Sequence, residues 1–156
     1  MSISAPFVER QDLVKKMVEN ETKKHVLSMI EEEARKRDVE FRMMYKGRSY
    51  QFSVGNVNGI VKHTNARGTF WVGIMQETIK ELGDKAFLVE IDRYMNKYIV
   101  IPFSEIKNWN PHTNKPLVSA TFQRVGSGYV IQPTHYRPVH IAQIGSPEAL
   151  HVIFRT

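Results

Sequence analysis

The residues with the most chemical reach are acids on one predicted strand and cations in stretches that contain no acid. Over residues 86–92 the two-residue period of a strand puts Leu88, Glu90 and Asp92 on one face and Phe87, Val89 and Ile91 on the other. Two carboxylates on one face, with Asp84 close by, can hold a magnesium ion against a phosphate. That would be the chemistry of a metal-dependent nuclease, with Asp84, Glu90 and Asp92 as catalytic candidates and Glu90 and Asp92 as metal candidates. The plainer reading is a strand whose outer face is wet. No further ligands accompany the acids, and on that reading there is neither metal nor cofactor. None of the histidines has the helix spacing of a zinc protease. His135 has the titration range of a general acid, as any surface histidine in a turn would. His63 beside Lys62 is suited to touching phosphate, and His151, between Leu150 and Val152, reads as structural. No nucleophile elbow, Walker loop or dinucleotide-binding glycine pattern occurs. Gly126-Ser127-Gly128 precedes a strand, so it reads as a hairpin turn and not as a phosphate cradle.

The cations are unevenly distributed. The chain has a net charge of +6. Residues 1–40 hold eight Lys and Arg against nine Asp and Glu, whereas residues 41–156 hold fourteen against seven. Between Glu40 and Glu77 lie Arg42, Lys46, Arg48, Lys62 and Arg67 with no acid among them; between Glu105 and Glu148 lie Lys107, Lys115, Arg124 and Arg137. Acid-free basic stretches are the electrostatic footprint of a nucleic-acid partner, because phosphates attract them and counterions are released. Aromatics interleave with these cations. Tyr45 and Tyr136, each at a strand end beside a cation, are expected to be exposed and able to stack on bases. Phe52, Phe70, Trp71 and Phe87 are assigned to the core.

The elements that must position these groups follow from periodicity. The 156 residues, 42% hydrophobic and 24% charged, suit a single domain, 1–156. With no cysteine there is no disulfide or thiolate chemistry, and no apolar run is long enough to span a bilayer. The first residues lack the basic and apolar regions of a secretory signal, so a cytoplasmic address is the expectation. Residues 1–40 read as helix, with Leu13, Val14, Met17, Val18, Val26, Met29, Ile30 and Ala34 at three- and four-residue steps. Thr22 and His25 interrupt that stripe, leaving room for a break near 20–24. Residues 41–106 read as strands with one short helix at 76–83, and residues 107–156 as β-hairpins, with strands at 117–125, 128–133, 138–144 and 149–156. The fold class is α+β: an N-terminal helical segment packed on a mainly antiparallel sheet.

The run IVKHTNARGTFWVGIM, followed by a short helix, KAFLVEID and YIVIPFSEI, resembles the later half of restriction-endonuclease-like PD-(D/E)xK domains over residues 60–106. The resemblance implies nucleic acid as partner, a phage or mobile-element setting, and Lys62 standing where the family's lysine stands. The chain departs from the pattern where the acids belong. Ile60 occupies the acidic position two residues before Lys62, and residues 41–59 contain no acid. A copy without them is expected to be catalytically silent, since carboxylates must hold the cation.

The leading expectation is therefore a non-catalytic nucleic-acid-binding domain. Arg42, Lys46, Arg48, Lys62 and Arg67 form one phosphate-contacting patch in it, and Arg124 and Arg137 a second. The alternatives are the magnesium-dependent nuclease described above, and a small inhibitor or interaction module. The module would bind a protein partner, or a second copy of the chain, through the amphipathic N-terminal helix.

Overall fold

Helix α1 (Phe7–Lys36) stops where Asp38 takes up a left-handed conformation, φ 55°. The Val39 N–H then reaches back to the Ala34 carbonyl and the Asp38 N–H to that of Arg35, the paired bonds that satisfy a helix end and redirect the chain. The computed structural model describes residues 7–46, 49–109, 116–134, 137–141, 144–145 and 147–155, with side chains for 21–44, 50–109, 116–134, 137–138 and 149–155. Helix α1 is continuous through 20–24. Val26, Leu27, Ile30 and Ala34 recur on one side of it and are fully buried, so the described part of the stripe is consumed by packing on its own domain.

After the helix come β1 (Phe41–Lys46), β2 (Ser49–Val54), β3 (Val57–Thr64), β4 (Phe70–Met75), α2 (Gln76–Leu82), β5 (Phe87–Asp92) and β6 (Lys97–Pro102). The short α3 (Phe103–Ile106) leads to β7 (Leu117–Val125), β8 (Gly128–Pro133), β9 (Val139–Ile141) and β10 (Ile144–Gly145). Two sheets result, ordered β1-β2-β3-β5-β6-β10 and β4-β7-β8-β9. The class is α+β, mostly antiparallel, with β7 and β8 forming the expected hairpin across Gly126. One pair is parallel: β5 lies beside β3 because the chain crosses over through β4 and α2.

Alternation assigns the two faces of the larger sheet. Phe52, Val54, Val57, Val61, Phe87, Val89 and Ile91 face α1 and a C-terminal 3-10 helix (Pro147–Arg155). Ile60, Leu88, Ile99 and Ile101 face the smaller sheet, where Phe70, Val72, Ile74, Ala120, Phe122 and Ile131 meet them. The 3-10 helix replaces the strand expected over 149–156. Its three-residue turn stacks Leu150 over Ile153, both buried, and this gives one apolar edge to the larger sheet where a strand would have offered two half-faces. The strand expected over 138–144 is divided between the sheets, β9 pairing with β8 and β10 with β6.

Phe52 on β2 sits opposite Gly59 on β3, and a Cβ at Gly59 would collide with its ring. Glycine here makes room for an aromatic that is itself fully buried. Gly59→Ala is expected to cost about 1–3 kcal/mol through overpacking, read by urea denaturation. An unchanged midpoint would show that the ring has somewhere else to go.

Candidate functional site

The parallel pairing of β3 and β5 sets Lys62 directly beside Glu90, and Thr64 beside Asp92. All four point toward the smaller sheet, because they follow Ile60 and Leu88 at two-residue steps. Adjacent strands lie about 4.8 Å apart, so the two acids and the lysine stand in one row between the sheets. The environment then separates the two acids.

Asp92 is fully buried and fully used. Arg124 on β7 grips it with Nε to Oδ2 at 2.7 Å and Nη2 to Oδ1 at 2.8 Å; Tyr129 on β8 donates its hydroxyl to Oδ2, and the Met95 N–H reaches Oδ1 at 3.2 Å. The guanidinium also donates to the carbonyls of Ala66 and Gly68, both at 2.6 Å, and lies 5.0 Å from the ring centres of Phe70 and Tyr94. Burial works to raise the Asp92 carboxyl. The hydrogen bonds from Arg124, Tyr129 and Met95, with the Arg124 charge, outweigh it and leave the group below its ordinary value. The Tyr129 hydroxyl is pushed well above its ordinary range, by burial first and then by Asp92. This is a clamp between the sheets. Arg124 has four N–H···O bonds within the fold, which corrects its expected place in a phosphate-contacting patch.

Glu90 is 2% exposed, and its Oε2 has no hydrogen-bond partner among the described residues. Burial pushes its carboxyl up to about 8, with Lys62 and Lys23 opposing and Asp92 adding to the rise. At neutral pH it is therefore mainly the uncharged acid, which can donate a hydrogen bond. Lys62 is half-buried and held below the ordinary lysine value, by burial first; Glu90 opposes and Lys23 adds to the fall. These side chains line a pocket of about 250 Å³ with Lys23 of α1, His63, and Trp71, Val72 and Gly73 of β4. Trp71 is 58% exposed, not in the core as expected, whereas Phe52, Phe70 and Phe87 are buried. Its ring lies over Gly73, where a Cβ would collide with it.

Of the three candidate acids, Asp84 does not join Glu90 and Asp92. Asp84 precedes β5, is exposed, and pairs with Lys107 at 2.8 Å; Asp92 closes the other end of the same strand. No group of three metal-ligating side chains occurs among the described residues. Of the expected first patch, Arg42 stands apart from Lys62. Arg42 is exposed and bonds Glu40 at 2.8 Å; the register sets it level with Asn58, two strands over and four residues short of Lys62. Arg67 and Arg137 are exposed in loops. Only the backbone of Tyr45 and Lys46 is described, and Arg48, His135 and Tyr136 lie outside the described residues. The cation that joins Lys62 is Lys23, from α1.

No protein-family model, curated protein or solved structure matches this chain. Among the described residues no helix is long and apolar enough to cross a membrane.

Proposed function

We propose that this protein binds nucleic acid by phosphate contact, with the pocket lined by α1, β3, β4 and β5 as the principal contact point. The observation that carries the reading is the convergence of Lys23 and Lys62 on a pocket whose acid, Glu90, is buried and mainly uncharged. Lys62 and Lys23, the latter with its ammonium 5.4 Å from the Tyr50 ring centre, line an opening with no charged carboxylate to neutralise them at neutral pH. A phosphate entering it would supply the missing counter-charge, accept a hydrogen bond from Glu90, and return Lys62 toward its ordinary basicity. Arg67, on the loop joining β3 to β4, extends the cationic surface. This narrows the expected patches to one site. Hydrolysis is not proposed, because Asp84 and Asp92 are committed to ion pairs with Lys107 and Arg124.

The test is a salt titration of oligonucleotide binding by fluorescence anisotropy. The logarithm of the affinity should fall linearly with the logarithm of salt concentration, by roughly 0.7 per phosphate neutralised on a single strand. Lys62→Met keeps the apolar stem that packs in the pocket and removes the charge. It should weaken binding and flatten the slope by about 0.7, one phosphate's worth. A slope near zero in the wild type, or one unchanged by Lys62→Met, would overturn the reading.

A further inference from the structure

Building on that proposal, we infer that the ligand is single-stranded, with one unpaired base stacked on Trp71 while the adjoining phosphate occupies the Lys23–Lys62 pocket. Most strand aromatics are buried or paired across the sheet, yet Trp71 is 58% exposed and lines the same pocket as the two lysines. Alternation along β4 buries Phe70, Val72 and Ile74 and turns Trp71, Gly73 and Met75 outward. Gly73 is the reason the indole can lie along its own strand: any larger residue would lift it. The result is a flat aromatic surface at the rim of a cationic pocket. The pocket floor carries a second, independent mark of a ligand, the buried Oε2 of Glu90 without a partner among the described residues.

A platform beside a phosphate pocket reads a base only if that base is free of its stack. Bases in a duplex offer edges in the grooves and hide their faces, whereas single strands expose faces that aromatics bind with little regard to sequence. The arrangement therefore selects strandedness, not sequence.

Tryptophan fluorescence tests this directly. Of the two tryptophans, Trp109 is 1% exposed and shielded from ligand, so a change on binding reports Trp71. A short deoxythymidylate oligomer should quench the emission; a duplex of the same length should not, and should bind more weakly. Trp71→Ala should weaken the oligomer roughly ten- to a hundredfold and leave the duplex unchanged, and Trp71→Phe should restore part of the loss. Gly73→Ala retains the indole but lifts it, and should reduce the quench. Trp71 is too exposed for its removal to unfold the protein, and a melting curve checks this. If oligomer and duplex bind equally, without quenching and without response to Trp71→Ala, the stacking inference fails while phosphate binding stands. If neither polymer binds at low salt, both proposals fall together.

Discussion

Arg124→Met is expected to lower the unfolding free energy by about 3–5 kcal/mol, the range for breaking one side of a buried ion pair. The arginine side chain is 12% exposed and the aspartate wholly enclosed, so the substitution strands a carboxylate between two sheets with only Tyr129 and one backbone N–H to satisfy it. The carbonyls of Ala66 and Gly68 lose their donor in the same step. Replacing both partners, Arg124→Met with Asp92→Leu, should recover much of the loss, because no isolated charge is left behind. Urea denaturation of the two single variants and the double measures this as a cycle. Single-variant losses under 1 kcal/mol would mean that the clamp does not hold the sheets. The acid limb follows from the lowered Asp92 value. Its contribution is complete above the ordinary 3.8 and is lost as pH falls below that, toward the folded-state value.

Glu90 produces the opposite dependence. Its folded value, about 8, lies above its ordinary 4.5, so the native state binds more protons than the unfolded chain between those limits. Stability should therefore be greatest near and below pH 4.5 as far as this group is concerned, and should decline as pH rises toward 8. A displacement of that size corresponds to a loss on the order of 4–5 kcal/mol at 1.36 kcal/mol per unit. Glu90→Gln keeps the shape and a hydrogen-bond donor and removes the titration. The variant should be markedly more stable than the wild type at pH 9 and similar to it at pH 5. Denaturation curves at the two pH values check this; parallel behaviour of the two proteins would show that Glu90 is ionised in the fold at little cost. Burial is the largest cause of the effect; of the groups facing it, Lys62 from β3 and Lys23 from α1 reduce it and Asp92 from its own strand adds to it.

Local rules were enough for most of the elements. The helix over 7–36, the strand at 70–75, the short helix from Gln76 and the hairpin across Gly126 follow from periodicity and turn chemistry. The C-terminal segment was not legible in this way, because apolar residues at 150 and 153 fit a three-residue turn as well as a ragged strand, and only the shape of the surface they cover decides. Half of the site was legible. Glu90 and Asp92 on one face is a period-2 statement, but their opposite fates depend on Arg124 and Tyr129, which are distant in the chain. Arg124 reads as a free cation in the sequence because its acid, Asp92, lies 32 residues away in the chain. Lys23 joins Lys62 through tertiary packing alone. Trp71 left a signal that was open to use: a strand alternating Phe70, Val72 and Ile74 inward must send the residue between them outward, and the glycine two residues on marks where an indole can lie flat.

The parallel pairing of β3 with β5 also orders events in time. The meander β1-β2-β3 needs only short turns and can form as soon as its residues leave the ribosome. Lys62 gains its acidic neighbour only after the segment from Thr64 to Phe87 has been made and folded back, a closure slower than any hairpin in the chain. Until then the pocket lined by Lys62, Trp71 and Glu90 is incomplete. A nascent or partly unfolded molecule would thus present strands and helix without the finished pocket, and, under the proposed function, recovery of oligonucleotide binding during refolding should lag behind recovery of secondary structure.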